Sequence, residues 1–306
     1  MVVILRRDNE MKVVRILKQP MLSVHNLRIT ILVEDSVSMN KPEVTAKHGL
    51  SLLVETNVEG VSSKILMDAG PPSDIALRNA EMINVDLQTT ATIVLSHGHY
   101  DHTGGLINIL KRINQTIPVV AHPKVFSPKF ALRPTLKFIG TGFDPSSVTE
   151  ASGRLLLAEN SVSIMNGVMT SGEIARESIF EKTEGFWTVE DDRFVEDNLV
   201  DDQALLINVM DRGLSVLTGC AHSGIINTLR HAQKITGINK VCAVVGGFHL
   251  DKADNERIVA TIDELVKINP TSIYPCHCTG SKATRKLLDS FGDRCKPVQT
   301  GDSIEL

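Results

Sequence analysis

The sequence predicts an α/β fold in which two β-sheets pack face to face beneath helices. Three observations carry this reading. β-rich apolar runs come first, helical periodicities then alternate with further β runs, and residues with ligand chemistry stand at the ends of those runs. A doubly repeated βα pattern of this kind is what two packed sheets covered by helices require. In the first half, 29–33, 50–56 and 64–68 read as strands, 74–83 as a helix, 91–95 as a strand, 104–114 as a helix and 118–121 as a strand. Residues 155–165 read as a β-hairpin turning near Glu159-Asn160. In the second half, 204–209 and 214–218 read as a hairpin around Asp211-Arg212-Gly213, followed by helices over 225–236 and 255–268 alternating with strands 240–245 and 272–274. The repeat is architectural, with no repeat of sequence.

Composition fits a globular enzyme. The 306 residues, 42% hydrophobic and 22% charged, suffice for one large α/β domain or two ordinary ones. A formal net charge of −4 gives no general attraction to nucleic acid or to acidic membranes, so neither is an expected partner. The opening Met1-Val2-Val3-Ile4-Leu5 meets Arg6, Arg7 and Asp8 at once, unlike a secretory leader, and no apolar run approaches the length of a membrane span. Cys220, Cys242, Cys276, Cys278 and Cys295 are odd in number and lie beside apolar runs, which points to a reducing cytoplasm rather than a disulfide framework. Oligomeric state, a homo-oligomer included, is left open.

The chemistry concentrates in Ser96-His97-Gly98-His99-Tyr100-Asp101-His102-Thr103-Gly104-Gly105, three imidazoles and one carboxylate within six residues. Imidazole nitrogen and carboxylate oxygen are the usual ligands of zinc and its first-row neighbours, and ligands this dense on one loop can hold two divalent ions, zinc first, with manganese or iron as alternatives. By spacing, His97 and His99 share one ion while Asp101 and His102 turn to a second. Cys276-His277-Cys278 suggests a zinc knuckle, but no second pair at finger spacing completes it, and its two thiols read as packing.

The stretch His97-x-His99-x-Asp101-His102 resembles the signature of the metallo-β-lactamase superfamily. Five further stretches appear in order: Ala46-Lys47-His48-Gly49-Leu50-Ser51, Leu66-Met67-Asp68-Ala69-Gly70, Thr218-Gly219-Cys220-Ala221-His222-Ser223-Gly224, Gly246-Gly247-Phe248-His249-Leu250 and Pro275-Cys276-His277-Cys278-Thr279-Gly280. The ensemble is similar to the branch of the 7,8-dihydropterin-6-ylmethyl-4-(β-D-ribofuranosyl)aminobenzene 5'-phosphate synthase. It covers roughly 22–306, leaving 1–21 an unassigned extension in which Met11 and Met21 are alternative starts. The resemblance implies the four-layer αββα metallo-β-lactamase sandwich, with His97 and His99 on the first ion and Asp101, His102 and His277 on the second. The superfamily's middle histidine, after Thr-Pro-Gly, has no counterpart in Met169-Thr170-Ser171-Gly172-Glu173, and Cys220 stands where a bridging aspartate is usual. His222 is the expected replacement, Cys220 and Glu173 are further candidate ligands, and Asp68 is expected to orient a ligand imidazole.

His48 and His249, features of the branch, are expected to contact substrate, with His249 also delivering a proton; Asp101 would orient the nucleophile or take its proton. His25, His122 and His231 lie in no motif. Residues 123–202 break the regular pattern with prolines, glycines and aromatics, and read as a lid-like insertion whose Phe126, Phe130, Phe138, Phe143, Phe186 and Trp187 could stack on a flat ring. The nine carboxylates between Glu181 and Asp202 read as a solvated face.

Two ions in such a site would supply hydroxide near neutral pH and withdraw charge from a developing oxyanion. The expected function is a metal-dependent enzyme acting on a phosphorylated or pyrophosphorylated small molecule. The resemblance implies condensation of a dihydropterin methyl pyrophosphate with a ribofuranosylaminobenzene phosphate; the alternative is hydrolysis of phosphodiesters or lactones. A flavodiiron-like redox protein shares the fold but usually has a carboxylate at the place of His99, and no flavodoxin-like domain follows residue 306. A non-catalytic ligand-binding module usually loses the ligands that are intact here.

Overall fold

The computed structural model describes residues 21–132 and 134–306, together with the backbone of a two-stranded antiparallel hairpin, Val2–Arg7 and Glu10–Arg15. The side chains of the extension, Met11 among them, lie outside the described residues.

Two sheets form the centre. The first has seven strands in the order Gly153–Leu157, Ile117–Ala121, Thr90–Val94, Val61–Met67, Ser51–Val58, Asn26–Val33 and Ser303–Glu305. The second has six, in the order Ser163–Met165, Val168–Thr170, Ala204–Val209, Gly213–Thr218, Val241–Gly246 and Ser272–Pro275. Side-chain alternation explains why both read as nearly continuous apolar runs. In the first sheet Leu52 and Val54 point to the inter-sheet core and Leu53 to the outer face; in the second, Leu205 and Ile207 point inward while Leu206 points out.

Three apolar clusters therefore separate four layers. Between the sheets lie Ile29, Leu52, Met67, Val120, Leu217 and Val245. Outside the first sheet, Leu53, Leu66 and Ile93 meet Ala76 of helix Ile75–Met82 and Ile109 and Leu110 of helix Leu106–Ile113. Outside the second, Val216 and Val244 meet helices Ile225–Thr236, Asn255–Ile268 and Ser281–Phe291 through Leu229, Ile262 and Leu287.

The expected elements from 29 to 121 and from 204 to 274 form, with ends shifted by a residue to a few. One expectation is corrected. Residues 155–165 are not a hairpin: Gly153–Leu157 pairs parallel with Ile117–Ala121 in one sheet, whereas Ser163–Met165 pairs with Val168–Thr170 in the other. The apolar runs look like hairpin arms, but the segment between them carries the chain across the sandwich.

Segment 123–202 accordingly supplies core strands as well as a cover. The cover is a four-stranded antiparallel sheet ordered Arg193–Glu196, Phe186–Glu190, Lys129–Leu132 and Leu136–Phe138. Register places Phe130, Leu132, Leu136, Phe138, Trp187, Val189 and Phe194 on one face, where Trp187 and Phe194 stack with centroids 5.0 Å apart.

The parallel strands fix where function sits. Met67, Val94, Thr218, Gly246 and Pro275 end their strands, and Asp68, His97, Cys220, His249 and His277 follow within three residues. Loops after parallel strands open at one edge of the sheets, which is where α/β folds place their ligands.

Candidate metal centre

The loop after Thr90–Val94 is held rigidly before it carries any ligand. Asp68, itself at φ 61°, accepts from Ser96 N and Ser96 Oγ, each at 2.7 Å. Gly98 N donates to Asp201 Oδ2, and a Cβ on Gly98 would stand 2.1 Å from the Val125 carbonyl oxygen, so only glycine lets the loop lie against the turn at Pro123–Phe126. His99 then opens the short helix Tyr100–Thr103, with Thr103 Oγ1 donating back to the His99 carbonyl.

Two donor groups result. In the first, His97 Nε2 lies 2.9 Å and His222 Nε2 lies 3.2 Å from His99 Nδ1, and the three residues form one potential ligand group of buried side chains. Burial, followed by the neighbouring imidazoles, keeps His97 and His222 well below the usual histidine range, and burial holds His99 near 3. All three are therefore neutral bases at neutral pH. His99 Nε2 and His222 Nδ1 are buried without a hydrogen-bond partner.

In the second group, His102 Nε2 lies 3.3 Å from His277 Nε2, and Asp101 Oδ2 lies 3.7 and 3.6 Å from those two nitrogens. The outward nitrogens are fixed by carboxylates, with His102 Nδ1 2.7 Å from Asp68 Oδ2 and His277 Nδ1 2.8 Å from Asp35 Oδ1. A carboxylate can only accept, so each Nδ1 keeps its proton and Nε2 is the nitrogen turned to the centre, where an ion would take the place of any proton on it. Burial opposes charge on His102, but Asp101 and Asp68 outweigh it and lift its pKa to about 9. Asp101 is lowered: burial opposes this, and the charges of His102 and His277 overcome it.

The donor set fits two transition-metal ions: three nitrogens converge in one group, two nitrogens and a carboxylate oxygen in the other. Of the residues expected at the site, Glu173 is placed elsewhere, its Oε1 2.9 Å from His122 Nε2. His231 Nε2 lies 3.2 Å from the Ser171 carbonyl, and His25 Nδ1 accepts from Glu59 N. Cys220 Sγ lies 3.2 Å from His102 Nε2.

Both groups open on a cleft of about 1420 Å³. His48 stands at its edge with Nδ1 3.0 Å from Asp35 Oδ2 and Nε2 3.4 Å from Asp101 Oδ2, and the bond to Asp35 raises its pKa. His249, at φ 50°, places its ring 4.2 Å from that of His222. The aromatic expectation narrows. Phe186 covers the first group, with centroids 5.3 Å from His99 and 5.1 Å from His222, and Phe180 also lines the cleft. Phe126 and Phe143 pack against each other and the outer core, while Phe130, Phe138 and Trp187 are on the far face of the cover.

Several residues escaped the sequence. Asp35 joins His277 to His48, and its only signal was a carboxylate just past a strand end, as at Asp68. The acidic run is not merely solvated. Glu181 accepts from Ile226 N and Asn227 N at the start of helix Ile225–Thr236, Asp202 accepts from Ser223 N, and Asp201 accepts from Gly98 N and from buried Lys129.

Residues 44–204 match the family model described as the metallo-beta-lactamase superfamily. The chain is 39% identical over 288 residues to the 7,8-dihydropterin-6-methyl-4-(beta-D-ribofuranosyl)-aminobenzene-5'-phosphate synthase of Methanocaldococcus jannaschii, covering 92% of this chain and 97% of that one. An uncharacterized protein of the same organism is 34% identical, covering 80% and 90%. A solved structure described as a metal-dependent hydrolase of the beta-lactamase superfamily superposes with TM-score 0.77 at 26% identity, covering 92% of this chain and 99% of that one.

Proposed function

The chain belongs to the metallo-β-lactamase superfamily, and we propose that it is a two-metal enzyme that condenses a dihydropterin methyl pyrophosphate with a ribofuranosylaminobenzene phosphate. The 39% identity to a synthase over nearly the whole of both chains supports the substrate class. The observation that carries the metal chemistry is the pair of donor groups facing one cleft, with the outward nitrogens of His102 and His277 fixed by Asp68 and Asp35.

Ions held there, zinc by the chemistry of the donors, would neutralise charge on a pyrophosphate oxygen or lower the pKa of water. The residues do the rest. In the condensation the bond from the pterin methyl carbon to the pyrophosphate oxygen breaks as the bond to the arylamine partner forms, and that partner gives up a proton. Asp101 Oδ2, beside His48 Nε2, is placed to accept it, and His48 with Asp35 leads to the exposed rim of the cleft. Phe186 offers a ring face to a pterin or aryl group. Lys182, Lys252 and Arg257 on the cleft wall supply positive charge for a phosphate. The cleft has room for both ring systems.

Hydrolysis is the second reading, favoured by the 26% identical metal-dependent hydrolase. Among the described residues no helix is long and apolar enough to cross a membrane. We place the enzyme in the cytoplasm on its free thiols, with small phosphorylated molecules rather than nucleic acid as partners.

The test is to incubate zinc-loaded protein with both substrates and follow products by mass spectrometry. A coupled product with released pyrophosphate supports condensation. Hydroxymethyl pterin formed at the same rate with or without the arylamine supports hydrolysis. Neither product overturns both readings.

A further inference from the structure

Cys220 follows strand Gly213–Thr218 through Gly219, whose Cα is pressed so close to the metal loop that a Cβ would stand 2.0 Å from Ser96 Oγ. Ala221 takes φ 53°, a left-handed conformation that strains a non-glycine residue and persists where the surroundings impose it. Its effect is to turn the side chains of Cys220 and His222 into the same space. Cys220 is only 3% exposed.

The thiol sits among imidazoles, not in an apolar pocket. Cys220 Sγ shares one potential ligand group with His97 and His102, a second with His222 and His249, and a third with His277 and Cys278, all donor atoms within 4.8 Å of one another in each. It therefore reaches nitrogens of both donor groups, whereas Asp101 Oδ2 lies against those of the second and Glu173 Oε1 against His122. The other thiols behave differently. Cys276 is part of the inter-sheet core, and Cys295 belongs to the outer core beside the helices. Cys278 departs from its expected packing role: its Sγ donates to the Cys220 carbonyl at 3.6 Å, and a Cβ on Gly247 would meet that sulfur at 2.5 Å.

We propose that Cys220 is a ligand shared by the two metal ions, making the centre a mixed imidazole and thiolate one, with Cys278 as the neighbouring thiol that positions it. This rests on the two-metal reading above. A soft sulfur donor shifts preference toward zinc, cobalt and cadmium and away from manganese and magnesium. As the ion binds, the Cys220 S–H bond breaks, the sulfur keeps the electron pair as ligand and the proton passes to solvent; nothing is oxidised or reduced.

The experiment is cobalt(II) titration of the metal-free protein, read by absorption and by bound metal, in the wild type, Cys220→Ser, Cys220→Asp and Cys278→Ser, each checked for folding by circular dichroism. The expected result is a near-ultraviolet thiolate-to-cobalt band in the wild type that grows across both equivalents. Cys220→Asp should bind two ions without the band, Cys220→Ser should lose the band and weaken binding about tenfold or more, and Cys278→Ser should keep the band. Two bound cobalt ions with no such band in the wild type, or a band that survives in Cys220→Asp, overturn the shared thiolate and leave the two-metal reading standing. Failure to bind cobalt at all overturns the two-metal reading instead. If Cys220→Ser and Cys220→Asp do not fold, methyl methanethiosulfonate protection of Cys220 by zinc in the wild type, mapped by mass spectrometry, decides the point: protection supports it and equal labelling with and without zinc overturns it.

Discussion

Asp68 Oδ2 lies 2.7 Å from His102 Nδ1, and both side chains are fully buried. The same carboxylate accepts from Ser96, so one residue fixes both the path of the 97–102 loop and the orientation of a candidate ligand ring. Asp68→Asn can donate toward His102 and so favours the wrong tautomer. Zinc affinity of the second group is expected to fall about 10- to 100-fold, measured by competition with a chromogenic chelator, with the first group changed much less. An unaltered second affinity would remove Asp68 from metal positioning.

His222 and His231 are nine residues apart and in different surroundings, one facing His99 and the other bonded to the Ser171 carbonyl. The protein is expected to hold close to two ions per chain, with His97→Ala/His99→Ala and His222→Ala each emptying at least one position. His231→Ala should retain both ions. Elemental analysis after dialysis measures this directly, and a two-ion His222→Ala protein would contradict the assignment.

His249 lies beside His222 in the cleft without a place in the two imidazole and carboxylate groups. His249→Ala is expected to lower kcat/KM for a phosphorylated substrate by about 10- to 100-fold while bound metal stays near wild type. A parallel loss of metal would make His249 a ligand, and unchanged kinetics would make it structural.

The metal-free protein should be most stable near pH 6.5. His97, His99 and His222 have folded pKa values below the unfolded value, so their contribution is present above about pH 6.5 and is lost as pH falls below it, for His99 down to about 3. His102 is raised to about 9, so its contribution is present below about pH 6.5 and is lost as pH rises to 9. Thermal unfolding of chelated protein across this range measures both arms. His102→Gln should flatten the alkaline arm, and an unchanged alkaline slope in that variant would contradict the charge assigned to His102.

Lys129 is 1% exposed and ion-paired to Asp201 at 2.8 Å and Asp197 at 3.1 Å, tying the cover to the loop that carries His97. Lys129→Met leaves a buried carboxylate unpaired and should destabilise the protein by about 3–5 kcal/mol, measured by urea unfolding. A smaller loss is expected when Asp197→Asn and Asp201→Asn accompany it.

The two sheets were legible because their strands are apolar on both faces, and the 97–102 loop was legible because its four candidate ligands, three imidazoles and one carboxylate, fall within six residues. Parts assembled from distant segments were not. The arms of the expected hairpin at 155–165 carry no mark that they belong to different sheets, which only pairing with Ile117–Ala121 and Val168–Thr170 decides. Asp35 resembles an ordinary loop residue, and the Cys278 thiol reads as packing, until folding brings them beside His277 and Cys220. The acidic run misled for a related reason, because Glu181, Asp201 and Asp202 find buried partners at 226–227, 98 and 223.

The contacts between the Glu34-Asp35 pair and His277 join residues 242 and 243 positions apart. A growing chain emerging from the ribosome presents the 97–102 loop 175 residues before His277, and the second donor group stays incomplete until then. On the two-metal reading, ion capture at that group would therefore be a late event in biosynthesis. It would report that residues 34–35 and 277 have met, and would make full metal content a readout of correct assembly rather than of the loop alone.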